Sequence, residues 1–216
     1  MLYISGIISL SVQLIVGLID FWGLTIDVTE DQNIFKDLLK LELGVQVVEF
    51  IFYAWMVLNF KNITNITPYR YFDWFLTTPT MLITLIAFLS KKYFTNLSDF
   101  IKGNKKNIII IGLANALMLL FGLLGEFNVI NYTTGVLLGF IPFLYYYKKI
   151  YDEYVNKEST RDQKGLFWFF FIVWSLYGAA ALFPYSIKNT MYNMLDLISK
   201  NLLGLILVYF IWKNRK

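Results

Sequence analysis

Seven mostly apolar stretches, joined by short polar connections, run through this 216-residue chain and leave it few ways to fold. A helix crosses the hydrocarbon of a bilayer with about 20 residues. Inside that hydrocarbon each backbone amide has to be satisfied within its own segment, which selects helices. The stretches are Leu2–Trp22, Phe35–Phe60, Pro68–Ser90, Asn107–Gly125, Asn128–Ile150, Gly165–Pro184 and Thr190–Lys213. The fourth and fifth are separated by so few residues, around Glu126, that they have to be antiparallel neighbours. A composition of 57% hydrophobic and 16% charged residues fits a polytopic membrane protein. The expected fold is all-α: one seven-transmembrane helix bundle over residues 1–216, integral to a membrane and in contact with its lipids.

Basic residues orient the bundle, because cytoplasmic loops carry the excess of Lys and Arg. With the N-terminus outside, Lys36, Lys40, Lys91, Lys92, Lys102, Lys105, Lys106, Lys148 and Lys149 fall inside, together with Lys157, Arg161, Lys164, Lys213, Arg215 and Lys216. Only Lys61 and Lys188 are left outside. The N-terminus is therefore expected outside and the C-terminus in the cytoplasm. The first stretch lacks a basic leader and a small-residue cleavage site, so it is expected to be a retained span. The Asn62-Ile63-Thr64 and Asn65-Ile66-Thr67 sequons fall in the outer second connection. A low-information Asn/Ile/Thr-rich loop is the reading favoured over glycosylation.

The chain has no cysteine and no histidine. That excludes disulfides, thiolate chemistry, Ser-His-Asp and Cys-His catalysis and the commonest metal ligands. No metal site and no enzymatic activity are expected. The net charge of +4 is read as topological and not as a nucleic-acid surface.

Lys200 lies within the last apolar stretch and belongs to neither end. An ammonium at mid-bilayer depth costs about 3 kcal/mol or more, so it needs a partner and usually has a function. Asp196 sits four residues earlier, on the same helix face. Arg70 and Asp73, three apart, share a face of the third stretch. Together they make a neutral set of two cations and two anions, and neutrality matters in a low dielectric. A primary amine condenses with an aldehyde, and buried carboxylates keep the resulting imine protonated. The set therefore suggests a chromophore site with counter-ions; a pair of bundle-stabilising ion pairs is the bland alternative. Trp74, Trp174 and Tyr177 are expected near it as cavity walls. Thr77, one turn after Asp73, either bonds that carboxylate or its own helix backbone, two readings of equal weight.

Arg70-Tyr71-x-Asp73-Trp74-x-x-Thr77-Thr78-Pro79 closely resembles the third-helix signature of microbial (type 1) rhodopsins. Trp174-Ser175-x-Tyr177 resembles their sixth-helix signature, and Asp196-x-x-x-Lys200 their seventh. The resemblance covers the whole chain. It implies all-trans retinal covalently bound to Lys200 as a protonated Schiff base. Asp73 and Asp196 are then its counter-ions, with Arg70 beneath them, Thr77 beside Asp73, and Trp74, Thr78, Trp174 and Tyr177 as pocket walls. Gly178 and Ala181 stand where the family usually has bulkier residues, which changes the ring end of the pocket. Pro142 marks a kink in the fifth helix, without a chemical role.

Pumps, channels and sensors all occur in this family. Its proton pumps carry a donor carboxylate eleven residues beyond the acceptor; here that position is Thr84. They also carry release carboxylates near the last turn between helices, and Phe183 to Asn189 contains none. The second stretch instead places Glu42, Gln46, Glu49 and Tyr53 on one helical face. The first offers Ser5, Ser9 and Gln13 at intervals of four, and the last adds Asn193 and Asn201. Buried acids on a spanning helix are expensive unless they meet water, cations or donors. A file of acidic side chains favours cations. The alternatives are a solvated Glu42 at the interface and a protonated, structural Glu49. Glutamates on the second helix and the Ser9, Glu42, Glu49, Asn201 set are most similar to the channel-forming viral rhodopsins. The expected function is a light-gated channel for monovalent cations or protons. An outward light-driven proton pump is the second reading and a photosensor the third. Whether the chain assembles as a homo-oligomer is left open.

Overall fold

The computed structural model describes residues 1–155 and 157–216, and these are helical almost throughout. Seven long helices follow one another: α1 (Leu2–Thr25), α2 (Asn33–Asn59), α3 (Thr67–Leu89), α4 (Leu97–Glu126), α5 (Tyr132–Tyr154), α6 (Arg161–Ala181) and α7 (Tyr185–Lys213). A 3₁₀ turn, Glu30–Gln32, enters α2.

α2 and α3 begin and end within two residues of the expected stretches, α1 ends three residues later than expected, α5 is shifted by four residues at each end, and α4, α6 and α7 also differ. α4 starts ten residues before Asn107, because its first turns are polar and a hydropathy reading discards them. The Asn96 side chain caps it, accepting from the Asp99 amide at 2.9 Å. α6 starts at Arg161, behind a capping box in which Thr160 and Gln163 satisfy each other's backbone amides. It stops at Ala181, short of Pro184, and that proline instead caps α7, which begins five residues before Thr190. Asn65, within a sequon, accepts from the Thr67 amide at 3.0 Å and steadies the start of α3. α5 continues through Pro142. Six of the seven helices are long and apolar enough to span a membrane. α5 falls short because Tyr145, Tyr146, Tyr147, Lys148 and Lys149 dilute its second half.

The bundle is inside out relative to a soluble protein. Ile4, Leu14, Ile15, Leu18 and Phe21 of α1 are exposed, whereas Ser5, Ser9, Gln13 and Asp20 of the same helix are buried. An apolar exterior over a polar interior is what a hydrocarbon solvent selects, and the protein is an integral multi-pass membrane protein. α1 packs on α2 and α7, α3 runs through the middle, and α4 packs on α5. That last contact needs Gly135, where a Cβ would lie 2.8 Å from the Phe121 carbonyl oxygen and 3.2 Å from the Gly125 Cα. At the basic end, the Lys216 amide donates to the Asp27 carbonyl at 3.1 Å, beside a Val28–Arg215 bridge.

Candidate functional site

Lys200 is 2% exposed at the centre of the bundle. Helix spacing brings its partners to it from three sides. Asp196 lies one turn back on α7, with Oδ1 3.7 Å from the ammonium. Asp73 reaches across from α3, with Oδ2 at 2.8 Å. Glu49 of α2 pairs with the same ammonium. The pair of acids expected beside Lys200 is thus a trio, close enough together to ligate a cation, and the ammonium takes that place. With Arg70, the set holds three carboxylates against two cations, so it is not the neutral group that spacing suggested. The excess negative charge calls for a proton or for water.

Arg70 is fully buried and knits α2, α3 and α7 together. Its Nη1 donates to Asp196 Oδ2 at 3.2 Å and to Tyr53 Oη at 3.4 Å. Nε donates to Asn189 Oδ1 at 2.9 Å, and Nη2 donates to Asn193 Oδ1. Asp196 also accepts from Tyr53 at Oδ2 and from Tyr177 at Oδ1, each at 2.7 Å. Thr77 donates to the Asp73 backbone carbonyl at 3.0 Å, the backbone alternative of the two left open. Thr78 donates to the Trp74 carbonyl at 2.7 Å and accepts from Asn115 of α4 at 2.8 Å.

Beside the ammonium opens a largely apolar cavity between α3, α4, α5, α6 and α7. Trp74, Trp174 and Tyr177 line it as expected, and so do Tyr71, Tyr192 and Phe143. Trp74 meets Tyr177 and Tyr192 edge-on, with ring centroids 5.6 and 5.0 Å apart. Gly135 and Gly139 of α5 and Gly178 and Ala181 of α6 also line it. The Phe140 ring covers Gly178, taking up space that a larger α6 residue would need. Lys200 is the one amine on the walls. A mostly apolar, aromatic-walled cavity with a buried amine on its wall suits an apolar aldehyde.

The polar stripes of α1, α2 and α7 do meet. Ser9 donates to the Asn193 carbonyl at 3.1 Å, and Asn193 donates to Ser5 Oγ at 2.8 Å. Gln13 donates to Glu49 Oε2 at 3.4 Å. Gln46 donates to Asn201 Oδ1 at 3.2 Å and to the Lys200 carbonyl at 3.4 Å. Tyr53 adds a contact to Asn193 Oδ1 at 3.2 Å. Glu42 is fully buried, which excludes the solvated position considered for it.

Three groups escape a sequence reading. Asp20 of α1 is fully buried, seven residues beyond Gln13, and continues the Ser5–Ser9–Gln13 stripe; extending that register would have found it. Asn115, 1% exposed, sits alone in an apolar run, which marks it as a buried donor. Glu126 and Lys188, 62 residues apart, form a buried ion pair at 2.7 Å. The Tyr132 hydroxyl lies 2.7 Å from the Ala181 carbonyl oxygen and 3.0 Å from that same Glu126. No sequence spacing announces this pair.

A seven-helix membrane bundle with a lysine buried among acids on the wall of an aromatic-lined cavity defines the class of microbial rhodopsins. Residues 4–214 match the bacteriorhodopsin-like protein family, and the chain belongs to it. Membership implies a light-driven rhodopsin with a retinal on a lysine, a photoreceptor, channel or pump rather than an enzyme. The viral rhodopsin OLPVRII superposes with a TM-score of 0.87 at 28% identity, over 98% of both chains. A blue light-absorbing proteorhodopsin from Med12 shares the fold, with a TM-score of 0.77 at 20% identity, over 98% of this chain and 96% of that one. Xanthorhodopsin, a light-driven ion pump with dual chromophore, shares it with a TM-score of 0.75 at 16% identity, over 99% and 93%. No curated protein sequence matches this chain significantly.

Proposed function

We propose that this protein is a light-gated channel for monovalent cations or protons, with retinal attached to Lys200. Retinal bound there supplies light absorption and a light-driven change of shape. The cavity beside Lys200 holds an apolar ligand, and Trp74, Trp174 and Tyr177 restrict how it lies. Asp73 and Asp196 act as counter-ions, with Arg70 fixing Asp196. Orientation follows the basic residues, with the N-terminus outside and the C-terminus inside.

One observation carries the channel reading: buried polar side chains of α1, α2 and α7 gather on both sides of Lys200. Ser5, Asn193 and Tyr53 lie on one side, and Gln46, Asn201 and Glu42 on the other. Glu49 joins this file directly to the ammonium. Any loss of charge at Lys200 therefore loosens Glu49, and with it the Gln13 contact that ties α1 to α2. Acids along such a file admit cations and repel anions. Whole-cell recording under illumination tests this: the photocurrent should reverse with voltage and follow the cation gradient. Current of one sign at every voltage rejects it.

An outward proton pump is the second reading, and Asp73 favours it. Its Oδ2 is 2.8 Å from Lys200 and its Oδ1 has no hydrogen-bond partner among the described residues, as suits a proton acceptor. Light-driven acidification of the medium that persists against a voltage would select it.

A further inference from the structure

Asp20 and Glu42 stand apart from the other buried acids. Glu49, Asp73, Asp196 and Glu126 each lie within ion-pairing distance of Lys200, Arg70 or Lys188. Among the described residues, Asp20 and Glu42 are in no such pair. Both are fully buried, and none of their four carboxylate oxygens has a hydrogen-bond partner. The Thr84 hydroxyl lies beside Glu42 but donates to the Thr80 carbonyl at 3.3 Å.

Helix register puts the two acids at one level. Gly17 of α1 faces Gln46 of α2, where a Cβ would lie 3.9 Å from the Gln46 Cβ. Gly23, two turns on, faces Leu39, where a Cβ would lie 2.9 Å from its Cδ2. Asp20, midway between them on α1, falls opposite Glu42 on α2. On α7 this level is Gly204, one turn beyond Lys200. A Cβ there would lie 2.8 Å from Asp20 Oδ1, so only glycine lets the Asp20 carboxylate enter the gap between the three helices.

We infer that Asp20 and Glu42, with the Thr84 hydroxyl, form a binding station for an alkali-metal cation on the inner side of Lys200, and that Asp20 sets its selectivity. The inference rests on the channel reading. Two carboxylates in low dielectric, neither of them ion-paired among the described residues, take up either a counter-charge or protons. Carboxylate and hydroxyl oxygens are hard ligands that suit alkali and alkaline-earth ions and not soft metals. The station extends the file inward beyond Gln46. It is also a point where an ion leaving the level of Lys200 exchanges water for protein oxygens, the step at which cations are distinguished.

The test has an electrical arm and an equilibrium arm. In patch clamp, Asp20→Asn should lower the sodium-to-chloride permeability ratio by roughly tenfold, as removing a unit charge within a few ångströms of the ion implies. Gly204→Ala should lower it in the same direction with every charge retained, because the new methyl displaces the Asp20 carboxylate. In detergent, the pigmented protein should broaden the sodium NMR line, potassium should compete, and Asp20→Asn should abolish the effect. Retained visible colour reports that each variant is folded. A wild-type permeability ratio in Asp20→Asn overturns the inference. So does sodium broadening absent from the wild type, with infrared carbonyl bands showing both acids protonated. If the wild-type current has one sign at every voltage, the channel reading fails, and the sodium titration alone still decides the station.

Discussion

Tyr53 and Tyr177, carried by α2 and α6, grip opposite oxygens of one carboxylate, that of Asp196, each at 2.7 Å. With Arg70 also on Oδ2, Asp196 accepts three hydrogen bonds. Asp73 has Lys200 on one oxygen and no hydrogen bond on the other. Two acids beside one amine are thereby given different parts. On the proposed reading Asp196 is the acid held in place, and Asp73 the one placed to take a proton.

Light-minus-dark infrared spectra should separate the two. Asp73→Asn should remove a carbonyl band that appears on illumination, and Asp196→Asn should leave it. Asp196→Asn should instead destabilise, because Arg70 keeps its charge at 0% exposure without an ion-pair partner. Such losses run to about 3–5 kcal/mol. Tyr177→Phe, which removes one bond to the carboxylate, should cost about 1–3 kcal/mol. Thermal bleaching midpoints measure both.

Lys200→Ala should yield a protein that carries no retinal through denaturation. Borohydride reduction followed by mass spectrometry of the wild type should find the added mass on the α7 peptide. An adduct on any other lysine would remove the basis of the functional reading.

The Glu126–Lys188 pair predicts a strongly non-additive cycle. Lys188→Met leaves Glu126 without its ion-pair partner and should destabilise by about 3–5 kcal/mol, as should Glu126→Leu by orphaning Lys188. The double variant should recover most of that loss, since apolar replacement of both partners is often neutral. Equal losses that simply add would show the pair to be exposed to water.

Gly135→Ala tests the α4–α5 seam. Its methyl meets the backbone at Phe121 and Gly125, which cannot swing aside as a side chain does. A loss of about 1–3 kcal/mol is expected, with a visible absorption shift because Gly135 also walls the cavity.

The helices that were legible in sequence are those whose apolar run and helical run coincide. α2 and α3 fall within two residues of expectation, whereas α4 begins with ten residues that hydropathy discards and a side-chain cap holds helical. The central site was legible because its chemistry repeats at helical spacing within single segments: Arg70 with Asp73, Asp196 with Lys200, Glu42 with Glu49. What stayed hidden depends on which helices touch. Glu49 belongs to the polar file by spacing, and only the approach of α2 to α7 delivers it to Lys200. Glu126 and Lys188 have no periodic relation at all. Asp20 was in register with its stripe but lay beyond the three residues that defined it.

The last residue of the chain is hydrogen-bonded to the first connection between helices. A reporter protein spliced directly to Lys216 would tug on Asp27 and, through it, on the ends of α1 and α2 that frame Asp20 and Glu42. Optical or electrophysiological tools made from this protein would therefore need a flexible spacer at that end. Met1, almost fully exposed, offers a quieter place for a label.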